Sequence, residues 1–295
     1  MIRLIYYIAF MAQIIFYPSF LVAQTKVEVI TKTVEKSFVY KSGYSLQVDG
    51  KSAKITAKGW DGAGIKVVMK LISKGLTADM AKKELEYQRY ALNETNKSIV
   101  IRNYLLLPRG FDELSTIQET EIQIYVPKNI TLRIKNAFGE TELSRISGQI
   151  SIENEYGDIF INDLKGSVNV KSFFGDLKLN AHSGTLIMDI SHTETSISGF
   201  SGSARINTNL GNVSVRSLGE ISYFKVIGEK ADITLKVTDI DLYFWNVRSK
   251  YGEIEAPNKM TKGIKSIKNA KVEYGNQGSP NIQVTTDFGK IEIIE

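Results

Sequence analysis

The 295-residue chain has no cysteine. That absence excludes a disulfide framework, a thiolate metal site and a lipid carried on an N-terminal cysteine. Histidine is nearly as scarce, with His182 and His192 alone in the whole sequence. Two isolated imidazoles make a poor metal site, so no metal or other cofactor is expected. Proline numbers only 5, so there are no proline-rich linkers to separate domains. The net charge of +5 is small for this length. No Lys/Arg run is long enough to line a nucleic-acid groove, and nucleic acid is not an expected partner. No nucleophile elbow, phosphate loop or dinucleotide fingerprint occurs, so no catalytic residue is assigned.

Long apolar runs are confined to the start. Arg3 supplies a positive charge, residues 4–16 form an apolar stretch, and Leu21, Val22 and Ala23 end on a small side chain. This is the layout of an export signal, with cleavage predicted before Gln24. An uncleaved membrane anchor is the alternative, but Pro18 interrupts the stretch and nothing basic follows directly. The expected location is periplasmic, cell-surface or extracellular, with no transmembrane segment once residues 1–23 are removed.

What the chain does have is spaced glycine. Gly139, Gly148, Gly157, Gly166, Gly175, Gly184, Gly202 and Gly211 fall nine apart, with Thr193 in the one gap. The second and fourth residues after each leader are apolar in 16 of 18 cases, the exceptions being Thr141 and Thr195. At the interleaved positions only Phe160 and Ile187 are apolar among 27. Such alternation marks a strand with one buried face. Each nonapeptide is then one short strand and a turn, and stacked copies share a core that none could close alone. Alternate units match better: Phe138-Gly139-Glu140, Tyr156-Gly157-Asp158 and Phe174-Gly175-Asp176 recur every 18 residues, as do Ile146, Leu164, His182, Phe200 and Leu218. The expected fold is an all-β parallel solenoid of about 18-residue, two-strand coils. Counted in nines, Ala231, Ile233, Ile240 and Leu242 remain inward. A shift of phase follows before Gly252 and Gly289, with a loop around residues 257–263.

The N-terminal part lacks the repeat. Residues 27–40, 45–57, 65–72, 98–107 and 121–126 read as longer strands, and residues 78–92 as one helix with Thr77 as its N-cap. The predicted organisation is a signal at 1–23, a β-rich cap with one helix at 24–130, and the solenoid at 131–295. A cap is needed because an open sheet edge templates aggregation. The final strand, Lys290 to Ile294, reads as an edge that could recruit a neighbour.

The Val126-Pro127-Lys128-Asn129 stretch, the alternating strand after it, and the Phe138-Gly139 and Tyr156-Gly157-Asp158 turns carry a resemblance. The chain is similar to the bacterial putative-adhesin family, a domain-of-unknown-function family of short β-strand repeats in exported proteins. The resemblance covers about residues 35–295 in layout. It implies a parallel β-solenoid on the cell-envelope side of the membrane and brings no site residues with it.

Candidate sites therefore rest on the repeat itself. Glu140, Asp158, Asp176 and Glu194 each follow a leader and should stack as a lane. The lane is either a ladder for a cation or a basic partner, or a solvated edge whose carboxylates accept turn amides, and the solvated edge is preferred. Calcium-roll binding is rejected, because Ile159 and Leu177 occupy the ligand position. Glu153, Lys171 and Asp189 should form an outward lane of alternating charge, more plausibly cross-strand pairing than catalysis. Phe160, Ile187, Tyr243 and Trp245 are candidate ligand contacts, with sealing of the solenoid end as the alternative for the last two. Both histidines read as corner-packing residues. The expected function is a non-enzymatic envelope scaffold or adhesin whose partner is an unidentified protein or glycan. The alternative is a carbohydrate-binding or carbohydrate-active β-helix protein.

Overall fold

The computed structural model describes residues 27–110, 113–261, 267–269 and 271–295. The predicted export signal lies outside the described residues. The chain is mostly β, with all strands in one hydrogen-bonded set. In order they are β1 (Glu28–Phe38), β2 (Ser45–Lys51), β3 (Ala53–Trp60), β4 (Ile65–Gly75), helix α1 (Ala78–Leu85), β5 (Gln88–Thr95), β6 (Ser98–Leu105), β7 (Ile117–Pro127), β8 (Asn129–Ala137) and β9 (Thr141–Glu155). Then follow β10 (Ile159–Asn209), β11 (Val213–Glu229), β12 (Ile233–Lys236), a 3-10 turn (Ile240–Leu242), β13 (Phe244–Lys250) and β14 (Glu253–Glu255). The last elements are α2 (Asn258–Thr261), β15 (Ile267–Lys268), β16 (Lys271–Tyr274), β17 (Asn281–Asp287) and β18 (Ile291–Ile294).

The ladder is parallel and advances by 18: Ile159 pairs with Thr141, Leu164 with Ile146 and Phe173 with Glu155. The same offset joins β8 to β9 and the middle of β10 to β11. Every one of the 18 inward repeat positions is buried, Thr141 and Thr195 included. The Thr141 hydroxyl is accommodated by donating to Asn154 Oδ1 at 2.9 Å. Each buried aliphatic side chain contributes about 1.5–3 kcal/mol, and the coils share one continuous cluster. The leaders are glycine because successive coils touch there. A Cβ on Gly157 would lie 2.2 Å from the carbonyl oxygen of Gly139, and one on Gly184 2.1 Å from that of Gly166.

The register shifts earlier than the repeat count implies. Between Phe200 and Ser203 the offset grows from 18 to 20, so that Ile233 pairs with Val213. An even insertion keeps each side chain on its own face, which is why Ala231 and Ile233 are still buried. Leu242 is not inward; it is exposed in the 3-10 turn, whose Ile240 is buried.

Both ends depart from sequential stacking. Strands β2 and β3 pair in parallel on both sides, with β6 and β8, and with β7 and β9. The parallel columns thus begin at Ser45, inside the segment read from sequence as cap. At the other end, β17 lies between β11 and β13, and β18 between β12 and β14. The chain builds the outer coil β13–β14 first and then returns to fill the space beneath it. The edge expected to be uncovered at Lys290 to Ile294 is paired with β12 from Ile291 to Ile294 and also with β14 at Ile291 and Glu292, so only its last two residues keep an open side. The antiparallel additions β15 and β16, together with β1, β4 and β5, close the two ends.

Helix α1 begins as expected, with Thr77 Oγ1 accepting from Met80 N at 3.3 Å. It stops at Leu85, however, and residues 88–92 belong to β5. The turn at residues 95–98 folds β5 back on β6, and this hairpin overrides the helical pattern. Glu84 anchors the helix: its carboxylate accepts from the amides of Ser115 and Thr116 and from the Thr116 hydroxyl. Burial pushes that carboxyl up, but the hydrogen bonds outweigh it and hold it below its usual range.

Candidate binding surface

The coils turn both corners on left-handed backbone, through Arg145, Asp163, Ala181, Gly199 and Ser217 on one side and a longer series on the other. Ser52, Phe138, Tyr156, Phe174, His192, Leu210, Lys230, Phe288 and Tyr251 all have φ between +50° and +62°. Bulky side chains there are strained by about 1–3 kcal/mol each, and contact along the corner offsets the cost. Phe138 stacks on Tyr156 with centroids 5.1 Å apart, Tyr156 on Phe174 at 5.2 Å, and Phe174 on His192 at 4.3 Å. Tyr251 and Phe288 form a second stack at 4.8 Å. The ladder stays open to solvent, with Phe138 57%, Tyr156 48% and Phe174 37% exposed. Because the faces cover one another, mainly ring edges meet the solvent. Beneath the corner, Asn136 and Asn154 donate to the Ala53 and Gly157 carbonyls at 2.8 and 2.7 Å, holding the turns from inside.

The acidic lane runs two residues beyond the ladder, and three of its carboxylates, those of Glu140, Asp158 and Glu194, are engaged. Glu140 pairs with Lys54 at 2.8 Å, Asp158 accepts the Asp176 amide at 2.8 Å, and Glu194 accepts from Asn212 Nδ2 at 3.2 Å. Further along, Asp232 accepts the Lys290 amide at 2.7 Å. Among the described residues no group of three or more His, Asp or Glu is placed to hold a metal ion.

On the other side of the ladder lies a groove along the stacking direction. One wall is the alternating-charge lane Glu153, Lys171, Asp189, Asn207 and Ile227. The other, two residues along each strand, is Glu155, Phe173, Ser191, Asn209 and Glu229. Backbone forms the floor. The wider section holds about 460 Å³ and the section around Glu153 and Phe173 about 280 Å³; they meet at Ser172 and Asp189. Lys135 bridges to Glu153 at 3.0 Å, Arg102 to Asp49 at 2.6 Å in the same lane, and Asn207 Nδ2 donates to Asp189 at 2.7 Å.

The four aromatic and apolar candidates do not converge. Phe160 and Ile187 face outward, Phe160 half-buried under Lys178 at 5.7 Å and Ile187 partly exposed. Tyr243 and Trp245 are corrected: both are buried, packed edge-on, with Trp245 Nε1 donating to the Ile240 carbonyl at 2.9 Å. They seal the core where the 3-10 turn interrupts the coil and cannot meet a ligand. His182 is buried in the Ile146 column with Nδ1 3.0 Å from the Leu164 carbonyl, and burial lowers its pKa. His192 is the exposed ladder member.

Nearer the C-terminus, Lys259 bridges Asp241 and Glu295 at 3.0 and 2.8 Å, and the Tyr274 hydroxyl donates to Asp241. Hydrogen bonds from Tyr274 and Lys259 hold the Asp241 carboxyl below its usual range, and Lys259 is raised by its hydrogen bonds to Glu295 and Asp241. This exposed cluster ties the α2 segment, β16 and the chain end together. Sequence reasoning placed Tyr156 and Phe174 in one series but missed Phe173. Its signal was weak, since Glu155 and Ser191 occupy the equivalent positions one coil away.

Stacked parallel coils with aromatic and carboxylate lanes on an outer corner define a β-solenoid. The chain belongs to the Toastrack DUF4097 family, whose model matches residues 45–294. No curated protein matches it. Among solved structures it is similar to a putative adhesin from Bacteroides fragilis, at 11% identity over 89% of this chain and 97% of that one, with a TM-score of 0.40. A putative cell adhesion protein from Clostridium sporogenes is 15% identical over 89% and 99% of the two chains, with a TM-score of 0.27. A putative lipid binding protein from Parabacteroides distasonis is 12% identical over 90% and 97%, with a TM-score of 0.32.

Proposed function

We propose that this protein is an exported, non-enzymatic scaffold of 18-residue, two-strand coils, closed at its N-terminal end by a helix-bearing cap, that binds an envelope or surface partner through its outward lanes. The observation that carries this reading is the corner ladder. An uninterrupted exposed row of stacked rings runs from Phe138 to His192, at left-handed corner positions that Ser52, Leu210 and Lys230 fill without rings elsewhere in the same column. Core packing alone does not require those side chains to be aromatic, and exposed apolar rows of this kind mark contact surfaces. Three of the four carboxylates beside it, Glu140, Asp158 and Glu194, are engaged by Lys54, a turn amide and Asn212. No helix among the described residues is long and apolar enough to cross a membrane.

The test is binding of the purified chain from Gln24 to envelope fragments. Saturable binding weakened by Tyr156→Lys is the expected result. A turnover activity abolished by a single substitution such as Asp189→Asn would sink the scaffold reading.

A further inference from the structure

We infer that the groove between the Asp189 lane and the Phe173 lane binds a linear neutral or amine-bearing polysaccharide laid along the solenoid axis. This inference rests on the reading of the protein as a binding scaffold and names its ligand class. The groove's equivalent residues recur at the coil spacing. Five coils, from Glu153 to Ile227, therefore offer about 19 Å of equally stepped side chains. The positions repeat while their side chains differ, and a linear polymer laid along the axis presents one hydroxyl-bearing ring after another to them.

The chemistry of the walls fits that ligand. Asp189 accepts one hydrogen bond from Asn207 and keeps further lone pairs for ligand hydroxyls. Asn207, Asn209 and Ser191 supply both donors and acceptors at the wider section. Phe173 stands at 83° and 77° to Tyr156 and Phe174, and at 78° to His192. The ladder rings stack along the axis, so the plane of Phe173 contains the axis direction. A sugar ring in a chain running along the groove can then lie flat against it. With Ile227 partly exposed at the far end, the groove joins apolar contact to convergent polar groups.

Charge selects among glycans. Glu155, Asp189 and Glu229 face the groove, with Lys171 the cation among its lining residues, and Glu153 is bridged by Lys135. An anionic polysaccharide would meet this excess of carboxylate, whereas a neutral chain does not and an amine-bearing one is attracted. A peptide added as a strand is disfavoured, because the floor backbone is already paired on both sides and offers no free edge.

The experiment is calorimetric titration of the chain from Gln24 with three hexamers: cellohexaose, fully deacetylated chitohexaose and oligoalginate. Saturable binding of the first two and none of the third is expected. Phe173→Ala should weaken binding roughly three- to tenfold. Asn209→Arg, an exposed change that fills the wider section, should abolish it, while Phe160→Ala on the other face should leave it unchanged. A thermal melt on each variant separates lost binding from lost folding. No saturable binding of either neutral or amine-bearing sugar, tighter binding of alginate, or binding indifferent to both groove variants overturns the inference. If the sugars are silent while envelope fragments still bind saturably, the glycan assignment falls and the scaffold reading stands.

Discussion

At the scale of single residues, the solenoid distinguishes two reasons for glycine. Gly157 has no room for a Cβ, while Gly43 has open space and only a φ of +85°. Gly157→Ala should therefore cost about 1–3 kcal/mol through overpacking, and Gly43→Ala about 1 kcal/mol through backbone strain. Urea denaturation of both variants checks this; equal losses would show that the coil contact is not what selects glycine. His182 makes the second prediction. Its folded pKa is lowered by burial, so the unfolded chain takes up the proton first as pH falls. The stability it contributes is complete above about pH 6.5 and is lost as pH falls from there toward the folded value, by at most about 1.4 kcal/mol per pH unit. His182→Phe, matching Phe200 in its column, should flatten stability between pH 7.5 and 5.0, and an unchanged slope would remove His182 as the cause. Both histidines were legible as corner residues because the 18-residue series holds them. Trp245 was not, because a large aromatic beside a broken repeat looks the same whether it seals a core or displays a surface.

At the scale of elements, strand positions followed from alternation, and their neighbours followed from it only where the repeat is unbroken. The 18-residue offset of β9 to β10 can be read from Gly139, Gly157 and the residues behind them. The offsets of 37 between β13 and β17 and of 58 between β11 and β17 cannot, since periodicity says which face is buried and not which coil lies next. The misread second half of helix α1 has a similar origin. Residues 88–92 carry side chains acceptable to a helix, and only the partner strand β6 decides the matter. A chain ending at Asp287 tests the observed order. Removing β18 leaves β12 and β14 each without a partner on one side, so faster proteolysis beyond residue 230 and increased association on size exclusion are expected. A truncated chain as stable and monomeric as the whole would contradict the placement.

For the whole molecule, the repeat makes one coil an independent unit of length. Deleting residues 157–174 joins Tyr156 to Gly175, which takes the place of Gly157 with every side chain on its original face. The shortened chain should fold, with an unchanged far-ultraviolet spectrum and a long axis shorter by about 4.8 Å in small-angle scattering. An unfolded product would show that the coils are not interchangeable. The same deletion removes Phe173 and Lys171 and shortens the groove by one rung, so its sugar affinity should fall while envelope binding through the remaining lanes persists.

The placement of β17 and β18 beneath β13 and β14 has a mechanical meaning. A solenoid whose last coil is also its outermost yields to a pull on its end by unzipping, one rung at a time and at low force. Here tension applied at Glu295 first parts Ile293 and Ile294 from β12. It then meets Ile291 and Glu292, which are laddered to β12 and β14 at once, so that two rows must shear together. In the binding scaffold proposed above, a pull transmitted through β18 loads the two C-terminal coils as a pair rather than one after the other.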